Sequence, residues 1–450
     1  MPSRILRLVP VVLGAMLAAC SERPAALAQT PSPAPRAPQA AAAPHTPLRG
    51  VPEDYDPLLA AMGEPRFVLL GESTHGTHEF YRERARISER LVREKGVLAV
   101  AIEGDWPDAD RVNRYVRGLG SDTSAEQALS DFKRFPRWMW RNAEFAAFAE
   151  RLRAWNMTQP ASRRVGVYGM DVYNLYEAAD AVVTWLQRTD PAAAARARAH
   201  YRCFAPYRPD PQKYGEATRR PTRSCETQAA AVLAEMRARA RPSDPAEAEA
   251  WFSAVRSAAS VAAAEAYFRA TYAGAYSWNV RDRWMADTVG DIAAHAAALS
   301  GQEGRVVIWA HNTHSGDARH TQASERGELN IGQLLRQRTG DRAFLVGFLT
   351  HSGTVMAAPE WDAPGRVYTL RPALPESYAG LFHGQALGDA LMILRGGAAD
   401  RLSEPRLERA VGVIYVPEQE RIAHYFEARL SRQFDAVVYL DRSKAVTPLR

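Results

Sequence analysis

Short apolar runs alternate with longer stretches of helical periodicity along most of this chain. Phe67 to Leu70, Leu98 to Ile102 and Arg305 to Ala310 are short and almost wholly apolar, the pattern of strands buried on both faces. Val165 to Tyr168, Phe344 to Phe348, Val411 to Tyr415 and Ala436 to Leu440 read the same way. Between them, Glu79 to Glu94 puts Phe80, Ile87 and Leu91 on one helix face, and Ala143 to Asn156 turns Phe145, Phe148 and Leu152 inward. Strands and helices in alternation predict an α/β fold, a central and mostly parallel β-sheet flanked by helices. From about Asn174 to Ser300 strand formers give way to Ala, Arg and Glu, with Ala229 to Ala240 and Pro245 to Tyr272 as strong helix sequences. A large helical insertion over 174–300, within a domain of 51–450, is therefore expected. It would either roof the site or add a second layer over one sheet face.

The ends of three predicted strands carry the chemistry. The first run passes into Gly71-Glu72-Ser73-Thr74-His75-Gly76, the second into Glu103-Gly104-Asp105, and the third into His311-Asn312-Thr313-His314. Ligands gather outside the carboxyl ends of strands in open α/β sheets, so Glu72, His75, Glu103, His311 and His314 are expected to share one crevice. His75 is the candidate general base, because imidazole titrates near neutrality and a neighbouring carboxylate can hold its tautomer. Gly71 and Gly76 bracket it, as a tight turn with close backbone approach requires. Glu103 could serve the reaction or merely cap a helix near Arg111. His311 and His314 could orient substrate, donate to an oxyanion or bind metal. Arg84 follows on the first helix, on the side of Phe80 and Ser88. It could pair with Glu72 or Glu103, clamp a substrate oxygen, or be an ordinary surface charge. The pairs His75/His78 and His311/His314, with Glu72 and Glu103, also make a divalent-metal site conceivable.

Composition narrows the class. The 450 residues are 46% hydrophobic and 24% charged, values of a soluble globular protein. Net charge is +6, or +4 once Arg4 and Arg7 leave with the leader (6 − 2 = 4). No Lys/Arg block interleaved with aromatics occurs, so nucleic acid is not implied. The G-x-S-x-G elbow, the G-x-G-x-x-G and Walker A loops and H-E-x-x-H are all missing from the sequence.

Residues 1–20 have the form of a signal peptide, with Arg4 and Arg7 ahead of an apolar Leu8 to Leu17 too short to span a bilayer. They close on Leu17-Ala18-Ala19-Cys20, which resembles a bacterial lipobox. Cleavage before Cys20 and its acylation would anchor the protein in the cell envelope, facing the periplasm. Ser21 in place of Asp points to the outer membrane. Residues 21–50, rich in Pro and Ala, then read as an extended tether. Only Cys203 and Cys225 remain, and in an oxidising compartment they are expected to pair.

A resemblance to the erythromycin esterase family rests on many motifs in order. They include Leu70 to Phe80, Ile102 to Asp108, Val112 to Val116, Trp138 to Asn142 and Tyr168 to Tyr173. Ser277-Trp278-Asn279 with Arg281-Asp282, Met285 to Asp287, Trp309 to Asn312 with His314, Gly327 to Asn330, Ile414-Tyr415, His424 to Phe426 and Phe434 to Ala436 continue the series. The resemblance implies a helix-flanked sheet with a helical insertion. It also implies a site made of Glu72, His75, Glu103, His311 and His314, and hydrolysis of an ester or macrolide lactone by water activated directly on histidine. Ser73 and Thr313 depart from the family pattern, standing where Ala is usual. The expectation is a carboxylic ester hydrolase acting on a small-molecule ester or lactone. A metal-dependent hydrolase using the same residues, and a non-catalytic envelope binding protein, are the alternatives.

Overall fold

Val68 and Leu70 pack on one side of their strand and Phe67 and Leu69 on the other, and all four are buried. That period of two with both faces covered is what a central strand between two helical layers requires. The computed structural model describes residues 44–274, 276–395 and 402–449. The expected leader, Cys20 and most of the expected tether lie outside them.

The strands in chain order are β1 (Thr46–Pro47), β2 (Phe67–Leu70), β3 (Ala99–Asp105), β4 (Gly166–Asp171), β5 (Val306–Trp309), β6 (Ala343–Ala357), β7 (Arg366–Leu370), β8 (Ala390–Ile393), β9 (Arg406–Arg409), β10 (Tyr425–Ala428) and β11 (Ala436–Ser443). Nine form one sheet in the order β1-β8-β11-β6-β2-β5-β3-β4, with β7 added to β6. The run from β11 to β4 is parallel; β8, β1 and β7 join antiparallel. A small antiparallel pair, β9 and β10, stands apart. The fold is thus a mixed, mostly parallel sheet flanked by helices.

One face is covered by the helices Asp56–Met62, His78–Lys95, Trp106–Arg117 and Ala143–Asn156. Trp309 of β5 fills its centre, against Tyr81, Phe145 and Phe148, and its indole N–H donates to Ser88 Oγ at 2.9 Å. The other face is covered by Ser277–Ser300, Ile331–Thr339 and Tyr378–Gly384.

The long helical insertion is present. Helices Leu175–Thr189, Pro191–Tyr201, Glu226–Arg237 and Pro245–Tyr272 enclose an apolar core of their own. Cys203 and Cys225 are joined by a disulfide at its edge, with Cα atoms 6.0 Å apart. The helix Ser277–Ser300, in the same predicted segment, instead packs on the sheet through Met285, Val289 and Ile292.

Two local expectations differ. Thr46–Pro47, within the segment read as tether, pair with β8; a proline is tolerated there because β1 is an edge strand. Val411 to Tyr415 is not a strand. Its backbone binds loops instead of a neighbouring strand: Val411 N–H donates to Ser73 at 2.8 Å and Val411 C=O accepts from His75 N–H at 3.2 Å. Apolar composition alone does not separate these two uses.

Candidate active site

β2, β3 and β5 are adjacent and parallel, so their carboxyl ends deliver the loops after Leu70, Ile102 and Trp309 to one place. The turn after β2 is tight because nothing larger than glycine fits at its two ends. A Cβ at Gly71 would lie 2.1 Å from Asn312 Oδ1, and one at Gly76 2.0 Å from the Met356 carbonyl oxygen. Glu72 Oε1 meets His75 Nδ1 at 2.8 Å across this turn. The other carboxylate oxygen, Oε2, lies 2.8 Å from Arg84 Nη2, with both side chains fully buried. That contact is an ion pair without the alignment of a directed hydrogen bond. Arg84 also stacks over Tyr81 and Trp309 at 4.5 and 4.9 Å. Of the roles open to it, Arg84 therefore takes the pairing with Glu72. Its side chain has no exposed surface.

A bulge places Glu103. Ile102 pairs with Gly169 and Asp105 with Asp171, so β3 spends one residue more than β4 over this span. Such an insertion re-aims a side chain at a strand end. Glu103 Oε2 accepts the His311 backbone N–H at 2.8 Å, while Oε1 accepts from Arg281 Nη2 at 2.8 Å and lies 3.3 Å from His314 Nε2. Burial opposes its charge, but His314, His75 and Arg281 outweigh burial and hold the Glu103 carboxyl far below the usual range. Glu103 does not cap the helix carrying Arg111, whose N-cap is Asp105; Arg111 itself binds Asp122 and Asp131.

The two late histidines are held differently. His314 Nδ1 contacts both oxygens of Asp282, at 2.8 and 3.0 Å, and the ring stacks on Trp278. Desolvation disfavours its cation, yet Asp282 and Glu103 prevail and its pKa is raised. His311 caps the short helix Asn312–Ser315: its Nδ1 accepts from Thr313 N–H at 3.3 Å and meets Thr313 Oγ1 at 2.9 Å. Desolvation, then the charge of His75, push its pKa well below the ordinary value, against opposing pulls from Glu103 and from the Ser73 carbonyl beside the ring. With Nδ1 accepting, the neutral ring carries its proton on Nε2, and that atom is buried with no well-aligned hydrogen bond, the Ser73 carbonyl being its nearby acceptor. The His75 and His311 rings lie 4.8 Å apart.

The predicted set, Glu72, His75, Glu103, His311 and His314, is thus brought together. His78 is not part of it, because its Nδ1 turns to Glu144 at 2.8 Å. Three further residues were not assigned a role from sequence. Asp171 holds Arg281 through two hydrogen bonds of 2.8 and 2.7 Å, and Asp282 anchors His314. Asp171 ends β4 as Asp105 ends β3, so strand-end acidity could have signalled it. Arg281 and Asp282 sit inside a long helix; the Arg281-Asp282 motif marked them without indicating what they bind. Two surface cavities, of about 220 and 450 Å³, lie elsewhere, beside Arg49 and Arg86 and beside Trp251 and Arg256.

Comparisons with known proteins agree with the fold and identify the family. A 1.7 Å crystal structure of a succinoglycan biosynthesis protein superposes with a TM-score of 0.72 at 19% identity, covering 90% of this chain and 96% of that one. A Bacillus cereus protein gives 0.73 at 20% identity, covering 90% and 97%. An erythromycin esterase mutant in its open conformation gives 0.61 at 16% identity, covering 87% and 94%. These establish a shared fold. In sequence, erythromycin esterase type II of Escherichia coli is 28% identical over 80 residues, which is 18% of this chain and only 19% of that protein's length. The profile of the family described as erythromycin esterase matches residues 92–443, beginning after Glu72 and His75 and including Glu103, His311 and His314. That match covers most of the chain, which therefore belongs to the erythromycin esterase family.

Proposed function

We propose that this protein is a carboxylic ester hydrolase that cleaves an ester or macrolactone with water activated by His75. The observation that carries the reading is the pairing of two histidines with opposite hydrogen-bond polarity. Glu72 occupies His75 Nδ1, which leaves Nε2 as the basic nitrogen. The buried His311 Nε2, which makes no well-aligned hydrogen bond, carries a proton close by. A base and a neutral donor side by side suit attack on a carbonyl and stabilisation of the oxyanion that results.

In the proposed sequence, His75 Nε2 takes a proton from water as the water oxygen bonds to the ester carbon. Negative charge passes to the carbonyl oxygen, where His311 Nε2–H donates to it. Collapse of the tetrahedral intermediate breaks the bond to the alkoxide, which takes the proton back from the His75 imidazolium. Glu72 and Glu103 stabilise that imidazolium. Glu103 stays ionised, so it is not the acid that protonates the leaving group. Arg84 and Asp282 position Glu72 and His314.

The proposal places the enzyme in the bacterial cell envelope, lipid-anchored at Cys20, facing the periplasm and sorted to the outer membrane. Leu17-Ala18-Ala19-Cys20 supports this, and among the described residues no helix is long and apolar enough to cross a membrane. The activity is tested by mass spectrometry of protein incubated with macrolides and simpler esters, with and without EDTA. A ring-opened macrolide heavier by one water, or the separate acid and alcohol of a simple ester, formed by the wild type and not by His75→Ala, is expected. Turnover that survives His75→Ala would overturn the mechanism.

A further inference from the structure

Outside this site, β6, β11 and the helix Tyr378–Gly384 bring two histidines and a carboxylate together. Leu440 is level with Thr350 and Arg442 with Ser352, so Asp441 stands beside His351 on neighbouring parallel strands. His383, from the covering helix, stacks on His351 with ring centroids 3.7 Å apart and meets Asp441 Oδ1 through its Nδ1 at 2.8 Å. One ligand atom from each of the three residues lies within 4.8 Å of the others, and among the described residues this is the one such trio of His, Cys, Asp or Glu.

We propose that His351, His383 and Asp441 bind a divalent transition-metal ion of the Zn²⁺ type, separately from the His75 cluster. Two imidazoles and one carboxylate are a donor set that Zn²⁺ takes, with a water completing the tetrahedron. His351 is 8% exposed, and its Nδ1 is buried without a hydrogen-bond partner. A helix docked only by the His383–Asp441 contact would not explain that nitrogen. Buried polar atoms are ordinarily satisfied, and a metal ion supplies the missing partner. Asp441 is already oriented: Tyr439 O–H donates to Oδ1 at 2.6 Å, which leaves Oδ2 for a ligand. The nearby Arg409 charge, which would repel a cation, is offset by Glu420 at 3.1 Å. The two rings are parallel, so binding requires His383 to turn out of the stack. Its half-exposed side chain has room to do so. The ion would tie the helix to β6, whose Met356 N–H donates to Gly76 C=O beside the catalytic turn.

The test is titration of metal-stripped, tag-free full-length protein with Zn²⁺ by calorimetry, and with Co²⁺ by visible absorption. One equivalent should bind and raise the melting temperature. Binding should weaken by more than about 100-fold in His383→Ala and in Asp441→Asn, since partners one step further out already cost 10- to 100-fold. Circular dichroism without metal checks that both variants fold. A His75→Ala/His311→Ala double variant should bind as the wild type does. Absence of binding by the wild type, retention in the first two variants, or loss in the double variant would each overturn the proposal. None of these readouts depends on hydrolytic activity.

Discussion

Glu72 and Arg84 form an ion pair of 2.8 Å in which neither side chain has any exposed surface. The pair lies directly behind His75, and Glu72 shares its second oxygen with that ring. Removing one member of a buried pair leaves the other charge uncompensated, at a cost of about 3–5 kcal/mol. Arg84→Met should therefore lower stability by that order in chemical denaturation, and should lower activity through a displaced Glu72. Adding Glu72→Gln should restore much of the stability and none of the activity. An Arg84→Met protein as stable as the wild type would contradict this account.

His75 and His311 are assigned opposite tasks, and their variants should differ. His75→Ala should lower kcat by about two to four orders of magnitude, as loss of a general base does. His311→Ala should cost about 10² to 10³ in kcat with little change in KM, the signature of a lost oxyanion donor. Steady-state kinetics on any hydrolysed ester decides this. A His311→Ala effect confined to KM would reassign that residue to substrate binding.

Glu408 supplies a pH prediction. It is buried on β9, and its Oε1 accepts from Asn312 Nδ2 at 2.9 Å, next to His311. Desolvation raises its pKa to about 8, against hydrogen bonds from Asn312 and Gln433 that lower it. Between its ordinary value and about 8 the folded state holds a proton that the unfolded state has lost. The resulting stabilisation is complete at acidic pH and falls as pH rises through that window. Glu408→Gln keeps the hydrogen bonds and removes the titration. Its stability relative to wild type should rise between pH 5 and pH 8, by a few kcal/mol on the order expected for such a shift. Equal pH dependence of the two proteins would show that Glu408 ionises freely.

The disulfide lies within the helical insertion, beside that segment's own apolar core. Cys203 and Cys225 close a loop of 22 residues, which by loop entropy contributes about 3 kcal/mol. Cys203→Ser/Cys225→Ser should lower the melting temperature of the insertion while kcat at low temperature changes little. A large loss of kcat in a folded double variant would tie the insertion to catalysis.

The sequence by itself determined the parallel strands β2 to β6 and β11 and the residues at their ends, but not the antiparallel β1, β7, β8, β9 and β10. Phe67 to Leu70 and Leu98 to Ile102 are legible because burial on both faces demands an unbroken apolar run. Glu72, His75, Glu103 and the His311/His314 pair are legible because polar groups directly after such runs have few places to go but the sheet's carboxyl edge. Tertiary structure alone decided how these groups are wired. Arg84 turns to Glu72 because β5 supplies Trp309 as the platform beneath it. The β3 bulge aims Glu103 at a backbone amide of another strand's loop. Arg281 and Asp282 reach the site from a helix nearly two hundred residues after Glu103 in the chain. Val411 to Tyr415 imitates a strand in composition yet serves as a brace for the His75 turn. Local sequence records which residues are apolar and which can titrate. Partners set by distant segments depend on sheet order and helix placement, which no local pattern encodes.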